Sequence, residues 1–380
     1  MLNWRDPQHS LAGGAELYAW ELAKALVGAG ARVDFVTARE SHQSARGRID
    51  GVDVRRRGSA LTFYPRALLW LLLRRRKLDA VLDADCGIPV FSPLVLSRRR
   101  TAIILLVHHV HLDQFGTYFP PLVARLGRFL EGRLMPRVYR GLTTVAVSSS
   151  TAREMVERLG WREHIQVLHN GNAMPLRLGV EQLAPPDRVA VLGRLAPHKR
   201  VQEVVRAVEE LRSARPGIHL DVIGRGPDLE VLDAEVEALG LAGHVTVHGY
   251  LEEEAKRRQL ATNRLHVSAS DVEGWGQVVI EAAALGIPTV ARDVPGMRDS
   301  VHHGVTGWLL DEPPGDRPPL STRLAQGIDA ALGQLDDEGR RREMAIACEQ
   351  WAAGFSWPVM HEGTVALVRV ALEQRMRRAA

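Results

Sequence analysis

Two cysteines in 380 residues, Cys86 and Cys348, cannot build a disulfide framework, so a disulfide-stapled secreted fold is excluded and a reducing cytoplasmic setting is the default. Long apolar runs are also missing. The most apolar segment, Ala67 to Leu73, is far shorter than the ~20 residues of a membrane-crossing helix, and no signal peptide is read ahead of the first motif. Aromatic residues make up 5% of the chain and are not interleaved with its arginines, as a nucleic-acid stacking platform requires, so nucleic acid is set aside as a partner. Lysine is scarcest of the charged residues, with Lys24, Lys77, Lys199 and Lys256 alone. A lysine in a loop after a strand is therefore not filler.

What remains is the composition of a globular protein, 46% hydrophobic and 25% charged, long enough for two domains with separate cores. The formal net charge of +4 hides an asymmetry. Residues 1–170 hold 25 Lys and Arg against 15 Asp and Glu, a charge of +10, and the remainder holds 24 against 30, a charge of −6. Such a split fits two domains with different partners. The basic front half suits an anionic acceptor or an anionic membrane surface.

The stretch Ser268 to Met297 organises the second half: a strand end, a glycine-rich loop, a helix and a strand. Gly274 and Gly276 flank Trp275, so the backbone there can approach a ligand, and its N–H groups open a helix beginning near Gly276. Glu281, about a turn and a half into that helix, is a rigidly held acceptor for a diol such as a ribose. Glu273 lies in the loop, nearer to whatever the phosphate carries. Leu285-Gly286-Ile287-Pro288 stops the helix and Thr289-Val290-Ala291 forms a buried strand.

Elsewhere the alternation is that of doubly wound sheets. Gly13-Gly14-Ala15-Glu16 opens a helix to about Val27, and Met1 to Asn3 reads as the stump of the strand that such a turn follows, unless the true start lies upstream. Strands follow at Arg32 to Thr37, Val52 to Arg57, Leu78 to Asp83, Thr101 to Val107, Leu142 to Val147 and Ile165 to Leu168. Phe63 to Leu78, and Pro120 to Arg140 with its row of arginines, read as amphipathic helices that pack on the sheet or face a membrane. A further helix is expected to end at Arg98-Arg99-Arg100, and Thr151 with Glu154 to form a capping box. His108, His109 and His111 stand past a central strand, where open sheets bind ligands; a metal held by all three is discounted, because neighbours on a strand point to opposite faces.

In the second half, Arg194 and Lys199 occupy the loop after the strand Val189 to Leu192. Gly224-Arg225-Gly226 follows the next strand but lacks the third glycine of a dinucleotide fingerprint, and is read as a ligand-side loop. Val245 to Tyr250 is a further strand and loop.

The Glu273 to Glu281 spacing, the small-residue helix and the Gly286-Ile287-Pro288 strand start resemble the donor-site signature of retaining glycosyltransferases of family 4, which have the GT-B fold. Departures are Trp275, where a phenylalanine is more usual, and Arg292-Asp293 after the strand. The resemblance implies two Rossmann-like doubly wound α/β domains facing a cleft: 1–170 for the acceptor, a linker at 171–186, 187–357 for the nucleotide-sugar, and a terminal helix at 358–380 crossing back to the first domain. It further implies that Arg194 and Lys199 clamp the diphosphate, Glu273 holds sugar hydroxyls, Glu281 the ribose, and the amides around Gly274, Trp275 and Gly276 the phosphate. Gly13 and Gly14 would lie beneath the phosphates, and Gly224, Gly249 and Tyr250 near the nucleotide. His108 would serve catalysis, and Glu16, His109 and His111 would face the acceptor.

The expected reaction is metal-independent, cofactor-free transfer of a sugar from a UDP- or GDP-sugar to a glycan, lipid-linked or small-molecule hydroxyl, with configuration retained. Such an enzyme would be cytoplasmic or peripheral on the inner face of the plasma membrane. A sugar-nucleotide epimerase and a catalytically inactive partner subunit are the rival readings. The base, sugar, acceptor and oligomeric state stay open.

Overall fold

The computed structural model describes all residues but 11, 61, 173–183, 313–316 and 380. Most of the expected linker at 171–186 lies outside the described residues. Two compact units are present. One comprises Met1–Gly171 with Trp357–Ala380, the other Asn172–Ser356.

In the first unit the strands are β1 (Asp34–Thr37), β2 (Arg46–Ile49), β3 (Val52–Arg56), β4 (Ala80–Asp85), β5 (Ala102–Val107), β6 (Thr143–Ala146) and β7 (Ile165–Val167). They form two rows, β1-β3-β2 and β4-β5-β6-β7. Leu2 sits between the rows. It bridges Val36 of β1 and Asp83 of β4 in parallel, and its amide donates to the Leu82 carbonyl at 2.9 Å. The order across the rows is thus that of a doubly wound sheet with Leu2 in the place of its first strand, and the order of succession reverses between Leu2 and β4 while the strands there stay parallel.

β5 is buried along its whole length, as its unbroken apolar run demands of a strand with parallel neighbours on both sides. The terminal helix Trp357–Ala379 packs against β5 and against the helix Gly14–Gly28, with His361 Nε2 2.9 Å from Glu21 Oε2.

Three local readings need correction. β2 was not foreseen, although Asp50 and Gly51, at φ 49° and 79°, make the two-residue turn that joins it to β3. The helix expected to end at Arg100 is only a short 3₁₀ turn, Ser92–Leu94. There the buried Asp83 carboxylate accepts the amides of Val90 and Ser92, at 2.8 and 2.9 Å, and Phe91 takes φ 61°, so the chain is tied to β4 before a helix can propagate. The helix Ser149–Leu159 is capped by Ser148, whose hydroxyl accepts the Thr151 amide at 3.0 Å, and Glu154 pairs with Arg158 instead of closing a box. Of four adjacent hydroxyl residues the first in extended backbone takes the cap.

The second unit holds β8 (Arg188–Leu192), β9 (His219–Ile223), β10 (Val245–Gly249), β11 (Leu265–Ser268), β12 (Thr289–Arg292) and β13 (Gly307–Leu310) in one parallel sheet. Its order is β10-β9-β8-β11-β12-β13. Successive side chains of β8 serve opposite faces. Val189 and Val191 join the core made with the helices Val201–Leu211 and Leu320–Leu335, while Ala190 and Leu192 pack with Leu260, Ala282 and Ile287 on the other side.

Candidate functional site

β8 and β11 are neighbours whose following strands run to opposite edges of the sheet. Loops diverge at such a point and leave a crevice at the carboxyl ends of the strands. In the second unit the crevice is lined by Gly193, Arg194, Lys199, Ser270 and Glu273. Lys199 closes the 3₁₀ turn Pro197–Lys199 after β8, and Glu273 lies in the loop after β11. Their charges are joined in an ion pair, and Ser270 donates its hydroxyl to the same Glu273 oxygen at 3.0 Å. Burial pushes the Glu273 carboxyl up, but Lys199 and the Ser270 hydroxyl outweigh it and hold the group below its ordinary 4.5. Glu273 is a carboxylate at neutral pH.

Two glycines shape this crevice because nothing larger fits. A Cβ on Gly224, at φ 153°, would lie 1.7 Å from the Gly193 carbonyl oxygen; one on Gly296, at φ 83°, would lie 2.3 Å from that of Glu273. Gly224 thus lets the loop after β9 press on the loop that carries Arg194, and the Leu195 amide donates to the Arg225 carbonyl at 3.0 Å. Gly296 lets the Pro295-Gly296 turn close over Glu273 and Gly274. Gly224, expected on the ligand side, also positions the loop that carries Arg194.

The short helix Gln277–Ala283 begins after Gly276, which caps it at φ 76°. Trp275 is buried edge-on to Phe355, with ring centroids 4.8 Å apart. Glu281 is half-buried on the helix and accepts from Lys256 Nζ at 2.8 Å. Burial would lower the Lys256 ammonium, but Glu281 and Glu253 raise it above its ordinary value. Tyr250, exposed past Gly249, carries the Arg225 guanidinium over its ring at 4.7 Å. Lys256 and Arg225 were not picked out from sequence. The signal for Lys256 was its rarity: two of the four lysines serve the two glutamates of the motif.

In the first unit the carboxyl ends flanking Leu2 and β4 collect a second set of groups. Gly14 is exposed, with nothing within 4 Å of where a Cβ would stand. Glu16, expected on the acceptor side, is fully buried and bound locally: one oxygen takes the Gly13 amide at 2.7 Å and the other Arg5 Nε at 2.8 Å. The cap of its own helix consumes it.

The three histidines do not converge. His108 is buried edge-on to Tyr18, centroids 5.4 Å apart, and burial first, then His109 and His111, lowers its imidazole to about 3, so it is neutral. His109 and His111 stack at 3.8 Å, and His111 Nδ1 lies 3.2 Å from Glu131 Oε1. Burial pushes Glu131 up to about 8 and lowers His111 to about 3. Asp85 is raised by burial and then by Glu131 and Asp83. Arg5, Asp85 and Glu131 were not picked out from sequence; an acid inside a helix with apolar neighbours was the available signal for Glu131.

Two family descriptions cover most of the chain. Glycosyltransferase Family 4 matches residues 12–172, and Glycosyl transferases group 1 matches residues 182–338. A GDP-mannose-dependent alpha-(1-6)-phosphatidylinositol monomannoside mannosyltransferase of Mycolicibacterium smegmatis is 34% identical over 43% of this chain and 42% of that protein. A D-inositol 3-phosphate glycosyltransferase of Nocardia farcinica is 33% identical over 60% of this chain and 52% of its own length. The chain spans about half the length of these curated relatives. Among solved structures, a sucrose-phosphate synthase from Thermosynechococcus elongatus superposes with a TM-score of 0.79 at 18% identity, covering 98% of both chains, which fixes the fold as GT-B. The chain therefore belongs to the family 4 glycosyltransferases, the group 1 glycosyl transferases.

Proposed function

We propose that this chain is a retaining glycosyltransferase that moves a sugar from a nucleoside diphosphate sugar to a hydroxyl of a lipid-linked or cell-envelope acceptor. One observation carries the reading: Arg194, Lys199 and Glu273 line one crevice at the topological switch point of the second unit. The diphosphate takes Lys199 and Arg194, which neutralise the charge that grows as the sugar leaves. Lys199, already paired with Glu273, ties the leaving group to the carboxylate that grips the sugar hydroxyls. Glu281, oriented by Lys256, takes the ribose diol, and Tyr250 with Arg225 flanks the base.

In the transfer step the bond from the anomeric carbon to the diphosphate oxygen breaks, and the bond to the acceptor oxygen forms on the same face. The acceptor proton passes to the departing phosphate, so no protein nucleophile is used. Cationic side chains supply the electrostatic stabilisation at the donor, and no metal is required there. The names of the two relatives support an acceptor bearing an inositol phosphate group, and a GDP-sugar is the first donor to test.

A lipid-linked acceptor also fits the first unit. The helix Pro121–Phe129 exposes Leu122, Val123, Leu126 and Phe129 beside Arg125 and Arg128, and Phe119 just before it is exposed as well. An apolar row among arginines suits an anionic bilayer interface. The deciding experiment is calorimetry of the purified chain with UDP, GDP, ADP and TDP, with and without magnesium. Metal-independent binding of one of them, lost in Glu281→Ala and in Lys199→Ala, is the expected result; binding of none, or binding unchanged in both variants, overturns the donor-site assignment. Donor turned over to a new sugar nucleotide without acceptor would identify an epimerase instead.

A further inference from the structure

Asp85 is the last residue of β4, His111 stands four residues past β5, and Glu131 lies on the turn Leu130–Leu134, where the helix widens to π geometry. A widened turn of this kind displaces a side chain from the helix surface and recurs at functional sites. The displacement brings Glu131 inward, so that three distant segments place a carboxylate, an imidazole and a second carboxylate with donor atoms all within 4.8 Å of one another. Asp85 and Glu131 are fully buried.

Two acids this close and this deep must either hold a proton or meet a counter-charge. Among the described residues none is supplied by a side chain. Among the described residues, the one ion pair that either carboxylate makes is Glu131 with His111, itself a member of the set. Arg158, the cation nearest in effect to Glu131, is bound to Glu154 and Asp113. Among the described residues no side chain bonds either Asp85 oxygen or Glu131 Oε2, and the Gly87 amide alone favours the charged form of Asp85. This unpartnered set occurs in the half of the chain that carries an excess of ten positive charges.

We propose that Asp85, His111 and Glu131 form a divalent cation site in the first unit, separate from the donor crevice. Two carboxylate oxygens with one imidazole nitrogen select a first-row ion of the zinc or manganese class over magnesium or calcium, which take oxygen ligands. The 3.2 Å from His111 Nδ1 to Glu131 Oε1 suits adjacent ligands of one ion. The supporting shell is in place: the His111 amide donates to Glu131 Oε1 at 2.6 Å, and the His109 ring stacks on His111. An ion held there ties the Leu130–Leu134 turn to the ends of β4 and β5, and with it the preceding helix that carries the exposed apolar row.

The test is titration of the chelator-treated full chain with zinc chloride and with manganese chloride, followed by calorimetry, by the loss of the aqueous manganese resonance signal and by melting. One equivalent is expected to bind and to raise the melting temperature, with affinity reduced at least 100-fold in Asp85→Asn and in Glu131→Gln. His111→Asn, which removes no carboxylate, is a second variant with the same expected loss should the acid variants fail to fold. No binding by the wild type, or undiminished binding by folded variants, overturns the site. So does an Asp85→Asn chain that melts higher than wild type while neither responds to metal, the signature of two acids sharing a proton.

Discussion

Lys199 and Glu273, 74 residues apart in the chain, are ion-paired between the loops that leave two adjacent parallel strands, β8 and β11. The pair is only partly exposed and faces the crevice, so one contact sets both the charge state of Glu273 and the place of the ammonium. Lys199→Ala is expected to lower transfer by about 10²–10³-fold, the usual scale for removing one preorganised electrostatic contact, while the circular dichroism spectrum is kept. Steady-state rates with the donor found by calorimetry check this, and unchanged turnover rejects the role.

The same pair predicts a pH dependence. Glu273 is held below 4.5 in the folded chain, so its contribution is fully present above that value and is lost as pH falls through the lower, folded value. Melting curves of wild type and Glu273→Gln from pH 7 to pH 3 should therefore converge below about 4.5. A gap that widens with acid would contradict the assigned sign.

His266, inside β11, behaves in a different way. Burial, and secondarily Lys199, lowers it from 6.5 to about 3, so the unfolded chain gains a proton below 6.5 that the folded chain does not. Stability is lost as pH falls from 6.5 towards 3, by up to ~1.4 kcal/mol per unit for one such group. His266→Asn should show a shallower loss between pH 6 and 4.5 in denaturant titrations than the wild type; equal slopes would mean that His266 charges without unfolding.

Gly296→Ala tests the close approach of the turn to Glu273. A Cβ there meets a backbone oxygen at 2.3 Å, and its positive φ adds about 1–2 kcal/mol of strain. We expect a clear fall in melting temperature and a disproportionate loss of nucleotide affinity, because the displaced backbone is that of the binding loop. Affinity that falls no more than stability would place the turn outside the site.

Leu126→Glu and Phe129→Glu test the apolar row. Both side chains are 55% exposed, and burying such a group fully is worth about 1.5–3 kcal/mol. Flotation with vesicles containing anionic lipid should capture the wild type at low salt and lose the double variant, with melting temperature unchanged. Absence of wild-type capture removes the membrane part of the function.

The doubly wound organisation of both units, the apolar run of β5 and the helix start at Gly276 were legible in the chain, because periodicity and turn chemistry are local properties. Arg194, Lys199, Glu273 and Glu281 were singled out by rarity, spacing and family resemblance. Tertiary structure decided how those groups are used. Which carboxylate meets which lysine depends on strand order, and strand order places β8 beside β11 across 72 residues of intervening chain.

Glu16 was assigned to a ligand and is spent on a helix cap and on Arg5, since a buried acid takes the nearest donors. The expected helix before Arg100 gave way to amides captured by Asp83, a competition that helix propensity does not register. Asp85, His111 and Glu131 are distant and carry no common spacing. Only the sheet, and a helix turn widened to π geometry, bring their donor atoms together.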